Sequence, residues 1–288
     1  MVVIRTSFIL LSAVAFTFSV CGREGGDCVH HSLNDGTEAF FKGKDAFDEG
    51  IPSKSRFWYQ ESFELLVPAV QSKISSQVLV RLGYVTSYNR ETKQPNWVAW
   101  HLKGECTDGP YRRLGNFHED EEVPLPRATL EDYRGSGWSR GHMCPAGDNK
   151  WDATAMYESF SLVNVCPQNA NLNSGLWNSI EIDCRRWARQ YGDIYIVCGP
   201  LFLNQEHETI GENKVVVPEA FFKVVLCLNG KPKGLGFIVR NTDGNKKRDL
   251  YYNSIDQVER ITGLDFFPAL PDDVENEVEA ESDINEWN

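Results

Sequence analysis

Apolar positions recur with two different periods along this chain. In LNSGLWNSIEIDCRRWARQYG, Leu176, Ile180, Cys184 and Trp187 fall three or four residues apart, which places them on one stripe of a helix that Gly192 ends. Elsewhere the apolar runs are short and bounded by turn residues, as strands are. They are SQVLVRLGYVTSYN, NWVAWHLK, GWSRGHMCP (stopped by Pro145), the end of ATAMYESFSLVNVCPQN after a short helix, DIYIVCGPLF, KVVVPEAFFKVVLCL and GLGFIV. NRETKQPN supplies turn chemistry between the first two. This order predicts an α+β fold, a mixed, largely antiparallel β-sheet flanked by helices. Residues 107–137 sustain no period. A loop that long inside a compact domain is functional or disordered.

The two ends differ from the middle. Residues 1–22 carry one base, Arg5, then an apolar run to Val20, the shape of a secretory signal and too short for a membrane span. Two endings stay open: cleavage before Arg23, or lipidation of Cys21 as in a bacterial lipoprotein. The expected location is therefore outside the cytoplasm: secreted, periplasmic or lipid-anchored at the cell surface. Without Cys21 seven cysteines remain, so at least one has no partner within the chain. Residues 23–75 read as an extension that wraps a main domain at 76–271. Residues 272–288 hold eight acids and no base, which accounts for two-thirds of the net charge of −12. The acidity is thus mostly a property of a tail expected to be solvated and flexible, and it does not exclude a polyanionic substrate. At 288 residues and 41% hydrophobic content the chain can bury a substantial core.

The chemistry concentrates in two stretches. SRGHMCPAGDNK places Arg140, Gly141 and His142 together, and NLNSGLWNSIEIDCRR supplies Asn173, Glu181 and Arg185. Asn173, Trp177, Glu181 and Arg185 follow at four-residue steps, drifting about 40° around a helix at each step. Each residue has an ordinary use. Asn caps helices, a Glu/Arg pair at i,i+4 is a surface ion pair worth a few tenths of a kcal/mol, and most histidines are merely solvated. Together they also suit hydrated Mg²⁺, which keeps several waters and takes few protein ligands. Asn173 at the helix start would bind the ion directly, and Glu181, about 12 Å further along, would act through water.

RATLEDYRGSGWSRGHMCPAGDNKW followed by VNVCPQNANLNSGLWNSIE resembles the DNA/RNA non-specific endonuclease family. These are ββα-metal nucleases, mitochondrial endonuclease G among them, with an Asp-Arg-Gly-His motif and an Asn-x(7)-Glu helix. The similarity runs from about Gln77 through FFPALP. It implies a ββα-metal motif in which His142 is the general base, Asn173 the direct Mg²⁺ ligand (Mn²⁺ as the substitute), and Glu181 the acid that holds the ion's water. It further implies that Arg185 steadies the phosphate, that Arg140 is the motif arginine, and that Asn164 is an active-site asparagine. Arg112 or Arg113 supplies another phosphate contact. The implied partners are DNA and RNA, held through the phosphate backbone, with no protein partner. One position departs from the family: Ser139 stands where the motif has Asp, so any orienting of Arg140 there lacks charge.

Three other readings compete. Cys144 or Cys166 with His142 would make a thiol hydrolase. Cys28, His30 and His31 could hold zinc, although no second ligand pair has the usual spacing. A non-catalytic nucleic-acid-binding protein on the same fold is the third. No stretch resembles a base-reading module.

Overall fold

The computed structural model describes residues 64–70, 74–113, 116–280 and 282–287. The expected signal, Cys21, nearly all of the 23–75 extension and the Cys28/His30/His31 alternative lie outside the described residues.

The chain enters through β1 (Ala69–Val70) and builds a meander of β2 (Gln77–Val80), β3 (Val85–Asn89) and β4 (Gln94–Lys103). It passes a short helix α1 (Leu130–Tyr133), strand β5 (Ser139–His142), helix α2 (Ala153–Glu158) and strand β6 (Val165–Gln168). A helical turn at Ala170–Leu172 and a π-helical stretch at Asn173–Trp177 then lead into α3 (Asn178–Tyr191). Beyond α3 come β7 (Asp193–Leu201), the two-residue strands β8 (Thr209–Ile210) and β9 (Val215–Val216), β10 (Ala220–Cys227), β11 (Lys233–Arg240) and β12 (Tyr252–Asn253). Helix α4 (Ile255–Thr262), strand β13 (Leu264–Asp265) and helix α5 (Asp272–Ala280) complete the chain's larger elements.

Seven strands form one sheet in the order β12-β11-β10-β7-β4-β3-β2. Every pair in it is antiparallel. The α+β expectation holds, while the expected mixed pairing is reduced to an isolated parallel bridge, His118 to Ser161. Period-two alternation decides the layers, because successive side chains leave opposite faces of a strand. From β10, Phe221, Val225 and Cys227 join the core that includes Ile180, Cys184 and Trp187 of α3, whereas Phe222, Val224 and Leu226 join Ile255, Val258 and Val278 of α4 and α5. Both sheet faces are covered, which explains why AFFKVVLC is buried at all eight positions.

The stripe of Leu176, Ile180, Cys184 and Trp187 is buried as its spacing predicts. Gly192 ends the helix with φ of 98°, a conformation that disfavours any side chain.

The C-terminal segment departs from expectation. The flexible acidic tail is instead helix α5 followed by a turn at Ile284–Trp287 whose Trp287 is fully buried against Trp187, ring centroids 4.7 Å apart. Lys233 Nζ donates to the Glu286 carbonyl at 2.6 Å. A buried indole and Val278 outweigh the charge of the segment, because each sits in an apolar core. The extension likewise contributes Leu65 and Leu66 to the core.

Candidate active site

The site is built where a β-ribbon ends against a helix. Strands β5 and β6 pair antiparallel, with His142 opposite Val165 and Gly141 opposite Cys166. Gly141 is required: a Cβ there would collide with the Gln168 side chain. His142 is the last residue of β5, as expected. Its carbonyl accepts a hydrogen bond from Trp177 Nε1 at 3.3 Å, which ties the ribbon to the helix.

The His142 ring packs against Phe117 (centroids 4.9 Å) and Phe160 (5.0 Å, edge-on), which also meet each other at 5.2 Å. It is 8% exposed, and Nε2 is buried without a hydrogen-bond partner. Burial first, then the charges of Arg113 and Arg140, push the imidazole down to about 3, so it is neutral at physiological pH. Arg140 is exposed, with its guanidinium 4.6 Å from the Phe117 ring centroid. No hydrogen bond joins Ser139 to Arg140, so the aromatic face orients this arginine. Of the two loop candidates, Arg113 is the one at the site. It lies 5.6 Å from the Phe160 ring centroid, and both His142 and Glu181 feel its charge.

Asn169, not Asn173, caps the helix: its Oδ1 accepts from the backbone N–H groups of Asn171 (2.9 Å) and Leu172 (3.1 Å). This corrects the expected helix start. Asn173 lies one turn inside, and its side-chain amide is half-exposed and has no hydrogen bond. The π-helical stretch that begins there inserts extra backbone into one turn. A wider turn of this kind opposes the 40° drift expected between Asn173 and Glu181.

Glu181 forms no ion pair and no hydrogen bond among the described residues, so the ordinary i,i+4 bridge to Arg185 is absent. Burial pushes its carboxyl up to about 7. Lys223, Arg185 and Arg113 pull it down and Asp148 pushes it further up. Arg185 instead donates from Nη1 to Asp148 Oδ1 at 2.8 Å, and Asp148 is buried, with Trp100 Nε1 donating to its other oxygen at 3.1 Å. The arginine is thereby held under the His142 loop by the acid of GDNK, with the rest of its guanidinium uncommitted.

Asn164 lies beside the His142 strand. It is fully buried, and its amide donates to the carbonyls of Cys144 and Ser159 and accepts from the Cys144 N–H, each at 2.8 Å. Both of its donors are used. It fixes the backbone after His142.

Sequence reading missed Lys223. It sits mid-strand on the α3 side of β10, fully buried, with Nζ 4.5 Å from the Trp177 ring centroid and 4.8 Å from that of Trp100. It donates to no oxygen. The signal was one lysine inside AFFKVVLC, an otherwise apolar strand.

The thiol alternative fails on burial. Cys144 and Cys166 are 0% exposed, and burial raises both thiols well above the ordinary range, so neither supplies a thiolate. All six described cysteines are free, and five of them are buried.

A ribbon that ends in a neutral histidine, pressed on a helix that carries a free amide and an unpaired carboxyl, defines a ββα-type site. Comparison with known proteins agrees. A model of the family described as DNA/RNA non-specific endonuclease matches residues 61–273. The chain belongs to this family. It is 37% identical over 209 residues to mitochondrial nuclease EXOG of Xenopus laevis, covering 67% of this chain and 58% of that protein. It is 35% identical over 210 residues to mitochondrial endonuclease G of Bos taurus, covering 68% and 70%. A chain in the crystal structure of the EndoG/EndoGI complex superposes with a TM-score of 0.67 at 29% identity, covering 77% of this chain and 94% of that one. The match thus spans less than two-thirds of the EXOG relative's length.

Proposed function

We propose that the protein is an exported, metal-dependent, sugar-non-specific endonuclease that hydrolyses phosphodiester bonds in DNA and RNA. The observation that carries this reading is the pairing of a neutral, boxed His142 with the uncommitted Asn173 and Glu181 across the ribbon–helix junction.

The donor set fits a hard divalent cation such as Mg²⁺ or Mn²⁺: one amide oxygen and one half-buried carboxyl, neither engaged elsewhere, and no nitrogen or thiolate ligand. Asn173 would bind the ion, and Glu181 would hold its hydration shell. When bound, the cation supplies charge neutralisation at the phosphate and at the leaving oxygen. The chain's own groups do the rest. Arg140 and Arg113 rest on the two rings that pack against the histidine and can bind the phosphate oxygens, while Arg185 is aimed by Asp148. Since Nε2 is buried, Nδ1 is the nitrogen left to take the proton from the attacking water. An anionic phosphate between the arginines offsets the charges that depress the imidazole, so His142 becomes a stronger base once substrate is bound.

Along the flank of the same helix a cavity of about 650 Å³ is lined by Asn171, Gly175, Ser179, Lys246, Lys247 and Arg248, suited to neighbouring phosphates. Such backbone contacts carry no base preference.

A zymogram on DNA and on RNA tests the activity. The expected result is clearing of both with Mg²⁺ and none in excess chelator. A folded protein that clears neither would leave a non-catalytic binder, and full clearing in chelator would remove the metal from the mechanism. Export rests on residues 1–22 alone. Mass spectrometry of natively expressed protein should find this segment removed, and a diacylglycerol mass on Cys21 would show anchoring. An intact Met1 would exclude export by this signal.

A further inference from the structure

The far face of the sheet carries a second concentration of acids that the nuclease site does not use. Asp256 and Glu259 on α4 and Glu279 on α5 each bring one carboxylate oxygen to within 4.8 Å of the others. Gathering three like charges is unfavourable unless something positive joins them. Among the described residues, the largest charge effects on Glu279 come from Glu259, Glu275, Asp265 and Asp256, all acids. Glu279 is only 7% exposed, and its Oε1 is buried and without a hydrogen-bond partner. Glu259 is partly committed, accepting the Phe266 N–H at 2.7 Å with Oε1.

We propose that Asp256, Glu259 and Glu279 form a second divalent-cation site, selective for calcium, that clamps α4 to α5. Oxygens that share one Ca²⁺ at ~2.3–2.6 Å lie at most ~5 Å apart, which is the spacing found here. Carboxylate-only donors suit a hard cation. Ca²⁺ accepts six to eight oxygens in flexible geometry, so three carboxylates and waters suit it, whereas Mg²⁺ demands an octahedron and releases its waters reluctantly. Without a cation the cluster must hold protons. Burial and the neighbouring acids push Glu279 up to about 9, and burial pushes Glu259 up to about 7.

The clamp has a structural purpose. Ile255 and Val258 of α4 and Val278 of α5 pack on the sheet, and Gly234 of β11 is a glycine because a Cβ would strike the Val278 carbonyl and Ile255. The cation would hold this C-terminal layer down without touching the catalytic ribbon.

Calorimetric titration of Ca²⁺ and the thermal midpoint in Ca²⁺ against chelator test the proposal on the full chain. Wild type and Asn173→Ala should both bind Ca²⁺ and gain several degrees, since the ion binds the folded state alone. Glu279→Gln should lose most of that gain while still cleaving DNA with Mg²⁺. The half-exposed Asp256→Asn provides the same reading should Glu279→Gln fold poorly. A Ca²⁺ gain that survives both substitutions, or one abolished by Asn173→Ala, would place the ion elsewhere and overturn the proposal. Absence of any Ca²⁺ effect on wild type would show that the cluster keeps its protons instead.

Discussion

Trp177 Nε1 donates to the carbonyl of His142 at 3.3 Å, and the same indole faces the buried ammonium of Lys223 at 4.5 Å. One side chain thus registers the helix against the end of the His142 strand and rests on an internal cation. Strand, helix and sheet meet at this residue, so the site is as rigid as the core beneath it.

Loss of the imidazole should remove turnover without removing the fold. His142→Ala should lower kcat by about 10²–10⁴-fold, the usual worth of a positioned general base, with metal and DNA affinity largely kept. Asn173→Ala should instead raise the metal requirement, so that added Mg²⁺ or Mn²⁺ partly restores it. Steady-state kinetics across a metal titration separates the two. A folded, fully active His142→Ala protein would dismiss His142 as the base.

The boxed histidine should also cost stability in acid. Its folded value is about 3, against about 6.5 in an unfolded chain. Between these values the unfolded chain binds a proton that the folded one does not, so stability falls as pH drops from about 6.5 toward 3. His142→Asn should flatten this part of the curve. Urea midpoints at about pH 5 and about pH 7.5, compared between wild type and variant, measure the difference. Equal slopes would mean that the ring is not held neutral.

Glu181, pushed up to about 7, should set the acid limb of the pH–rate profile. Below that value it takes a proton that competes with the hydrated cation, so raising Mg²⁺ should move the limb to lower pH. Lys223 is one of the cations that hold this acid down. Lys223→Met should therefore move the limb upward, and a limb left in place would show that the buried ammonium is not coupled to Glu181.

The C-terminal turn should be part of the cooperative unit. Trp287 is fully buried against Trp187, so Trp287→Ala should cost about 3–5 kcal/mol. Chemical denaturation would show this as a lower midpoint, whereas a solvated tail would leave the midpoint unmoved.

Periodicity alone determined the α3 stripe and the apolar strands, because a period of 3.6 or 2 is a local property that burial reinforces. The Arg140-Gly141-His142 and Asn173…Glu181 motifs also marked the ribbon and the helix that meet at the candidate site, since their spacing is a chain property. Tertiary structure decided the rest. It chose Asn169 rather than Asn173 as the cap, gave Arg185 to Asp148 instead of Glu181, and turned Asn164 inward. It packed an acidic tail into the core through Val278 and Trp287 and set Lys223 beneath Trp177. Each of these depends on residues distant in sequence that compete for the same hydrogen bond, charge or buried volume. Local pattern ranks none of those competitors, and only the packed chain selects among them.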